Sequence, residues 1–211
     1  MLYGGPPMQG AFDQFRLPPG RHKLSDSQVR ENQRWRLLGA CAEVIASRGY
    51  RGLSLRTVTK EAAVSKQTFY KHFEHLGECV AETHAMAVES ALAAVAGGCE
   101  AAPNREATLL GGLRSLAGLF AEEPALAYVL TDTALLEVPG VQAERARLAG
   151  RLARSLASVT GEAAEPKRGI GRRLSLHRVR ATAGCLSLWL IDGTPAALAD
   201  ATPELSQLLL E

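Results

Sequence analysis

The 211 residues, 46% of them hydrophobic and 22% charged, suffice for one substantial or two small domains and exclude the low-hydrophobicity composition of a disordered chain. The net charge of +2 hides an uneven distribution: Arg21 to His75 carries eleven Lys and Arg against five Asp and Glu, a net +6, and the chain from Leu76 onward is at −4. A polyanion is therefore expected to meet the N-terminal third, with plain solvation of helix faces as the alternative reading of the same charge.

Residues 1–24 contain four prolines and four glycines with little periodicity, which predicts a tail outside the core, basic at its end through Arg16, Arg21 and Lys23. Two readings of that end stand: a solvated leader, or an arm reaching a minor groove by analogy with homeodomain arms. Ser25 and Gln28 then form a capping-box pattern, and Trp35, Leu38, Cys41 or Ala42, and Ile45 recur at helical steps. Gly49 should end this first helix. Ser54 caps a second, short helix with Leu55, Val58 and Ala62 inward. Ala63, Val64 and Ser65 make a tight turn into a third helix, capped by Ser65. On that helix Phe69 and Phe73 face one way, while Lys66, Gln67, Thr68, Tyr70, Lys71 and His72 populate the rest. Donors outside and aromatics inside suit a helix lying in a major groove, with Lys66 and Gln67 able to reach base edges.

The run GYRGLSLRTVTKEAAVSKQTFYKHF resembles the helix-turn-helix of the tetracycline-repressor (TetR) family. The resemblance implies an all-α chain: a three-helix DNA-binding domain over residues 25–75, followed by a helical ligand-binding and dimerisation domain over 76–211. Carried over by position, it places Thr68 and Tyr70 on phosphates and Arg56 on a base or the backbone from helix 2. It sets Ser65, Lys66, Gln67 and Lys71 on or beside the reading face, with His72 on phosphate or in packing. Three positions depart from the family pattern. Ala63 stands where glycine is usual, Thr59 where a small alanine is usual, and Leu76 where a phosphate-touching lysine is common.

Beyond His75 no strand alternation and no repeat appears. Val80, Val88, Leu92 and Val95 mark a long fourth helix ending near Gly97 and Gly98, and Asn104 caps a fifth carrying Leu109, Leu110, Leu113, Leu116 and Phe120. Glu123 to Leu136 and Val141 to Thr160 read as two more helices, and residues 161–169 as a polar loop. Leu113, Leu116, Phe120, Tyr128, Leu130 and Trp189 fall on inner faces, where they either line a pocket for a small, largely apolar effector or complete the core. Leu176, Val179, Ala183, Leu186 and Leu190 draw one apolar seam, and a final helix starting at Thr202 brings Leu205 and Leu208. These residues either form the dimer interface that the resemblance implies or finish the protomer core. A homodimer would set two reading helices ~34–36 Å apart on a palindromic operator.

No apolar run of about 18 residues is evident, and the N-terminus MLYGGPPMQGAF is a poor secretion signal, so a cytoplasmic protein without a membrane span is expected. Cys41, Cys79, Cys99 and Cys185 lie far apart and read as reduced core residues. His72, His75 and Cys79 have helical spacing but lack a fourth ligand, so no metal is expected. There is no glycine-rich phosphate loop, GxSxG or HExxH, which argues against an enzyme and against a cofactor. The competing non-catalytic reading is a helical protein-interaction module whose helix-turn-helix is idle.

Overall fold

A computed structural model describes residues 25–99, 104–160, 177, 200, 202–205 and 207; of residues 133 and 155–160 it describes the backbone alone. Every element among the described residues is helical: α1 (Asp26–Arg48), α2 (Leu55–Glu61), α3 (Lys66–Tyr70), α4 (Leu76–Cys99), α5 (Arg105–Glu122), α6 (Pro124–Thr131) and α7 (Val141–Thr160), with 3-10 turns at Tyr50–Gly52 and Thr133–Glu137. The caps fall where the sequence puts them. Ser25 and Gln28 complete a capping box on α1, Ser54 and Thr57 another on α2, Ser65 accepts from the Thr68 N–H, and Asn104 accepts from the Ala107 N–H.

Two boundaries differ from expectation. The helix expected from Glu123 to Leu136 breaks at Asp132 (φ −62°, ψ 110°), whose Oδ1 accepts the Ala134 N–H at 2.9 Å and so starts a new turn instead of continuing the old one. α3 ends at Tyr70, so Lys71 and His72 lie in the tighter turn that follows, held by bonds from Lys71 N to Thr68 O and from His72 N to Phe69 O.

The core has two parts. The first joins Leu37, Leu38, Cys41 and Ile45 of α1, Val58 of α2, Phe69 and Phe73 beside the turn, Val80 of α4, and Leu126 and Val129 of α6. It therefore crosses the boundary after His75 without interruption. The second joins Ala91 of α4, Leu109, Leu113, Leu116 and Phe120 of α5, Ala127 of α6, Ala153 of α7 and Leu205. Leu119 and Leu130 touch both.

α4 lies at the centre, packed against α1, α5, α6 and α7. Among the described helices it alone is long and apolar enough to cross a membrane by length and composition, although Glu78, Glu82 and Glu89 interrupt its apolar run. Cys79, Val80, Ala87, Val88 and Ala91 are buried against neighbouring helices, as expected for the central helix of a bundle. Its far end meets α5 through glycines: a Cβ on Gly111 would stand 2.2 Å from the Gly98 carbonyl oxygen, and one on Gly98 would stand 2.3 Å from that of Gly111. Cys41 and Cys79 are buried free thiols that face each other between α1 and α4; their mutual hydrogen bond and then burial hold the Cys79 thiol far above its ordinary range, the condition of an inert structural cysteine.

α4 also carries His84, fully buried, with neither ring nitrogen hydrogen-bonded. Burial first, and the nearby Arg145 charge second, lower its pKa to about 4.

Two expectations follow. Gly111→Ala should lower stability by about 1–3 kcal/mol through overpacking, whereas Gly118→Ala, with open space around the added methyl, should be neutral or gain up to about 1 kcal/mol. Urea denaturation of both variants checks this; equal midpoints would refute the close approach. For His84, the unfolded chain takes up a proton near pH 6.5 and the folded one only near 4. Its contribution is therefore complete above pH 6.5 and is lost as pH falls towards 4, on the order of 3 kcal/mol. Denaturation midpoints across that range should fall more steeply for the wild type than for His84→Leu.

Candidate nucleic-acid interface

The surface built by α2, the turn and α3 rests on interactions made behind it. Phe69 and Phe73 are both essentially inaccessible, with ring centroids 5.4 Å apart, so α3 is held to the core along one side. Arg34 of α1 donates from Nε and Nη2 to both oxygens of Glu82 on α4, from Nη1 to the His72 carbonyl at 3.1 Å, and lies over the Phe73 ring at 4.7 Å. Arg36 donates to the carbonyls of Ala62 and Ala63, the C-cap of α2 and the first residue after it. These two arginines are thus part of the frame that positions α3.

The remaining cations of this region face solvent: Arg30, Arg48, Arg51, Arg56, Lys60, Lys66 and Lys71 are all exposed. Gln67 is exposed as well, and Tyr70 is 59% exposed, its ring edge-on to Phe69 at 5.6 Å. An exposed phenol among lysines is free to donate to a phosphate oxygen. Ser65 is exposed but its hydroxyl is engaged in capping, 3.0 Å from the Thr68 N–H and 2.9 Å from the half-buried Thr68 hydroxyl. His72 is drawn back towards α1, with Nε2 3.3 Å from Gln33 Oε1. Burial, followed by the charges of Arg34, Arg30 and Lys71, lowers its pKa and favours the neutral ring.

The three departures from the family pattern each have a structural account. Ala63 adopts φ 50°, the left-handed conformation for which glycine is the usual choice, so the turn keeps its geometry at the cost of strain. Thr59 is buried, and its hydroxyl donates to the Leu55 carbonyl at 2.8 Å. Leu76 is half-buried against the first cluster, an anchor for the start of α4 and not a cation presented to phosphate. The N-terminus of α4 is closed by its own neighbours, Glu78 N donating to His75 Nδ1 at 3.0 Å and Glu74 N to Glu78 Oε2 at 2.7 Å.

A second tie joins this region to the helices behind it. Asp132, at the break after α6, accepts the Tyr50 N–H on Oδ2 at 3.1 Å while Oδ1 caps the following turn. Neither Asp132 nor the pair Arg34 and Glu82 was singled out from sequence; they lie 82 and 48 residues from their partners, beyond any local pattern. His72, His75 and Cys79 are not brought together, and no cluster able to hold a metal occurs among the described residues.

Of the residues assigned to an effector pocket, Leu113, Leu116 and Phe120 are buried in the second cluster, Leu130 packs against both clusters and Tyr128 is half-buried. Leu205, for which dimer face and protomer core both stood as readings, is 5% exposed and packs into the second cluster. Trp189, Leu176, Val179, Ala183, Leu186, Leu190 and Leu208 lie outside the described residues, as does the tail over 1–24.

Residues 37–81 match the model of the bacterial regulatory proteins, tetR family. The chain is similar in fold to a transcriptional regulator from Rhodococcus sp. Rha1 (TM-score 0.69, 23% identity, 84% of this chain and 95% of that one). It is similar to the fatty acid degradation regulator FadR from Bacillus halodurans (TM-score 0.69, 16% identity, 90% and 97%). A third similar structure is FadR from Bacillus subtilis in complex with stearoyl-CoA (TM-score 0.65, 18% identity, 81% and 96%). The sequence matches no curated protein.

Because Ala63 is exposed and left-handed, Ala63→Gly should raise stability by about 0.5–1 kcal/mol without loss of packing. A urea midpoint that falls instead would show that the turn is not strained.

Proposed function

We propose that this chain, a TetR-type fold carrying the tetR-family N-terminal region, is a sequence-specific DNA-binding transcriptional regulator: a homodimeric repressor released from a palindromic operator by a small, largely apolar ligand. The observation that carries the reading is the row Lys66, Gln67, Tyr70 and Lys71, exposed on and just beyond a helix whose opposite side is buried through Phe69 and Phe73. In this reading Lys66 and Gln67 address base edges, and Arg56, Tyr70 and Lys71 address phosphates. Ser65 and Thr68 present their hydroxyls beside the backbone while capping the helix, and His72 supports the turn from behind. DNA-binding function is assigned to residues 25–75, with effector binding and dimerisation in 76–211.

Dimerisation through the C-terminal segment would place two such helices ~34–36 Å apart, one turn of DNA. The effector would enter among α4 to α7, near Leu113, Leu116, Phe120, Tyr128 and Leu130. It acts only through a difference in its affinity for the DNA-competent and DNA-incompetent spacings of the two heads. A regulator of this kind works in the cytoplasm.

Genomic-fragment selection with the purified protein at two salt concentrations tests the proposal. The expected result is a palindrome whose retention falls with salt. No enrichment at either salt would leave the protein-interaction module as the better reading. On the recovered operator, Lys71→Ala should weaken binding and lower the salt slope by about 1, and Gln67→Ala should cost about 1–3 kcal/mol at one base pair. Tyr70→Phe should cost about 0.5–1.5 kcal/mol. Unchanged affinity in all three would move the reading face elsewhere.

A further inference from the structure

Three buried polar atoms in the helical bundle have no hydrogen-bond partner among the described residues: Nδ1 and Nε2 of His84, and Nη1 of Arg145. They belong together. The Arg145 charge acts on the His84 ring, and α4, which carries His84, packs against α7, which carries Arg145. The other terminal nitrogen of Arg145 is used, donating to the Leu130 carbonyl at 2.8 Å, and this bond fixes the guanidinium with Nη1 left over. Burial weakens the charged form of Arg145, and the Asp132 carboxylate partly restores it. The guanidinium nevertheless makes no ion pair with a carboxylate among the described residues.

An unsatisfied buried donor costs about 1–3 kcal/mol, and a buried cation without an anion costs more. The rest of the bundle avoids such costs. The arrangement left open is specific: a fixed cationic N–H donor beside a neutral imidazole, which offers one N–H donor and one lone pair. Apolar side chains come close to it, since Leu130, whose carbonyl holds Arg145, packs its side chain against both core clusters.

We propose that His84 and Arg145 form a buried recognition site for the carboxylate of an otherwise apolar monocarboxylic acid, the head bound by the two side chains and the tail lying among the leucines of the second cluster. One carboxylate oxygen accepts from Arg145 Nη1 and the other from the imidazole N–H. The effector class is thereby narrowed from apolar to apolar and acidic. This rests on the effector-binding reading of residues 76–211, but its test involves no DNA, so a failed operator selection and a failed test of this site are separate results.

The test is calorimetric titration of the purified full-length chain with decanoate, decanol and decanamide, which share a tail and differ in the head. Decanoate is expected to bind at least tenfold more tightly than either neutral analogue. Arg145→Met and His84→Leu are expected to bring the three ligands to within about twofold of each other. Absence of decanoate binding, equal binding of the three by the wild type, or a preference that survives Arg145→Met would each overturn the proposal. Thermal unfolding without ligand gives an independent reading. If Arg145 is kept for a ligand, Arg145→Met removes an unpaired buried cation and should melt above the wild type; a lower melting temperature would assign Arg145 a structural role and overturn the site.

Discussion

The guanidinium of Arg34 is shared by three elements. It carries the Glu82 carboxylate of α4 on two nitrogens, takes the His72 carbonyl on the third, and covers the face of Phe73. Hydrogen bonds to charged groups contribute about 1.5–3 kcal/mol where they are partly shielded. The geometry matters more than the sum, because a planar fork bound at every nitrogen allows little rotation of α1 against α4 or of either against the end of α3. The orientation of the surface formed by α2 and α3 therefore depends on a residue that takes no part in that surface. Arg36 does the same for the turn by holding the Ala62 and Ala63 carbonyls.

The first hydrophobic cluster carries this argument further. A three-helix unit of about fifty residues is too small to bury much surface by itself. Here Phe69 and Phe73 share their core with Leu126 and Val129 of α6, and the Tyr50 N–H is tied to Asp132 at the end of that same helix. The head thus has no private core that would let it swing freely, and a displacement of α4 or of the end of α6 must carry it along or break the Arg34 and Asp132 contacts. Packed interiors yield by discrete shifts, not by continuous bending, and such a joint suits control from a distance.

What could be read in the sequence was local. Ser25, Ser54, Ser65 and Asn104 announced their helices because a cap acts over three residues, and Phe69 and Phe73 announced the inner side of the reading helix because four residues return to one face. The break at Asp132 was missed because the apolar period runs on through Leu135, which is buried, and only the aspartate's own side chain decides against continuation. Leu205 shows a related limit: in sequence a leucine stripe looks the same whether it faces a second protomer or the protomer's own α5, and only the packing of Leu205 into the second cluster adds to that. Arg34 and Arg36 contributed to a charge count in sequence and to a scaffold in space, a distinction that depends entirely on partners far along the chain.

The same contrast separates ordinary buried polarity from the unusual pair in the bundle. Thr59, Thr83 and Thr131 each donate to a carbonyl four residues back, at 2.8 Å in every case, so a hydroxyl on a helix meets its needs within its own turn. An imidazole and a guanidinium have no such local recourse in a helix; they must find partners on neighbouring elements or go without. Arg34 found three. Arg145 found one carbonyl, and His84 found nothing, although both are held among helices that satisfy almost every other buried polar group described. A leucine or methionine at either position would fill the volume without the desolvation cost. Polar groups at both positions, on the packed helices α4 and α7 and with the Asp132 carboxylate acting on Arg145, therefore set an incompletely satisfied pair near the tie from Asp132 to Tyr50 that helps to orient α3.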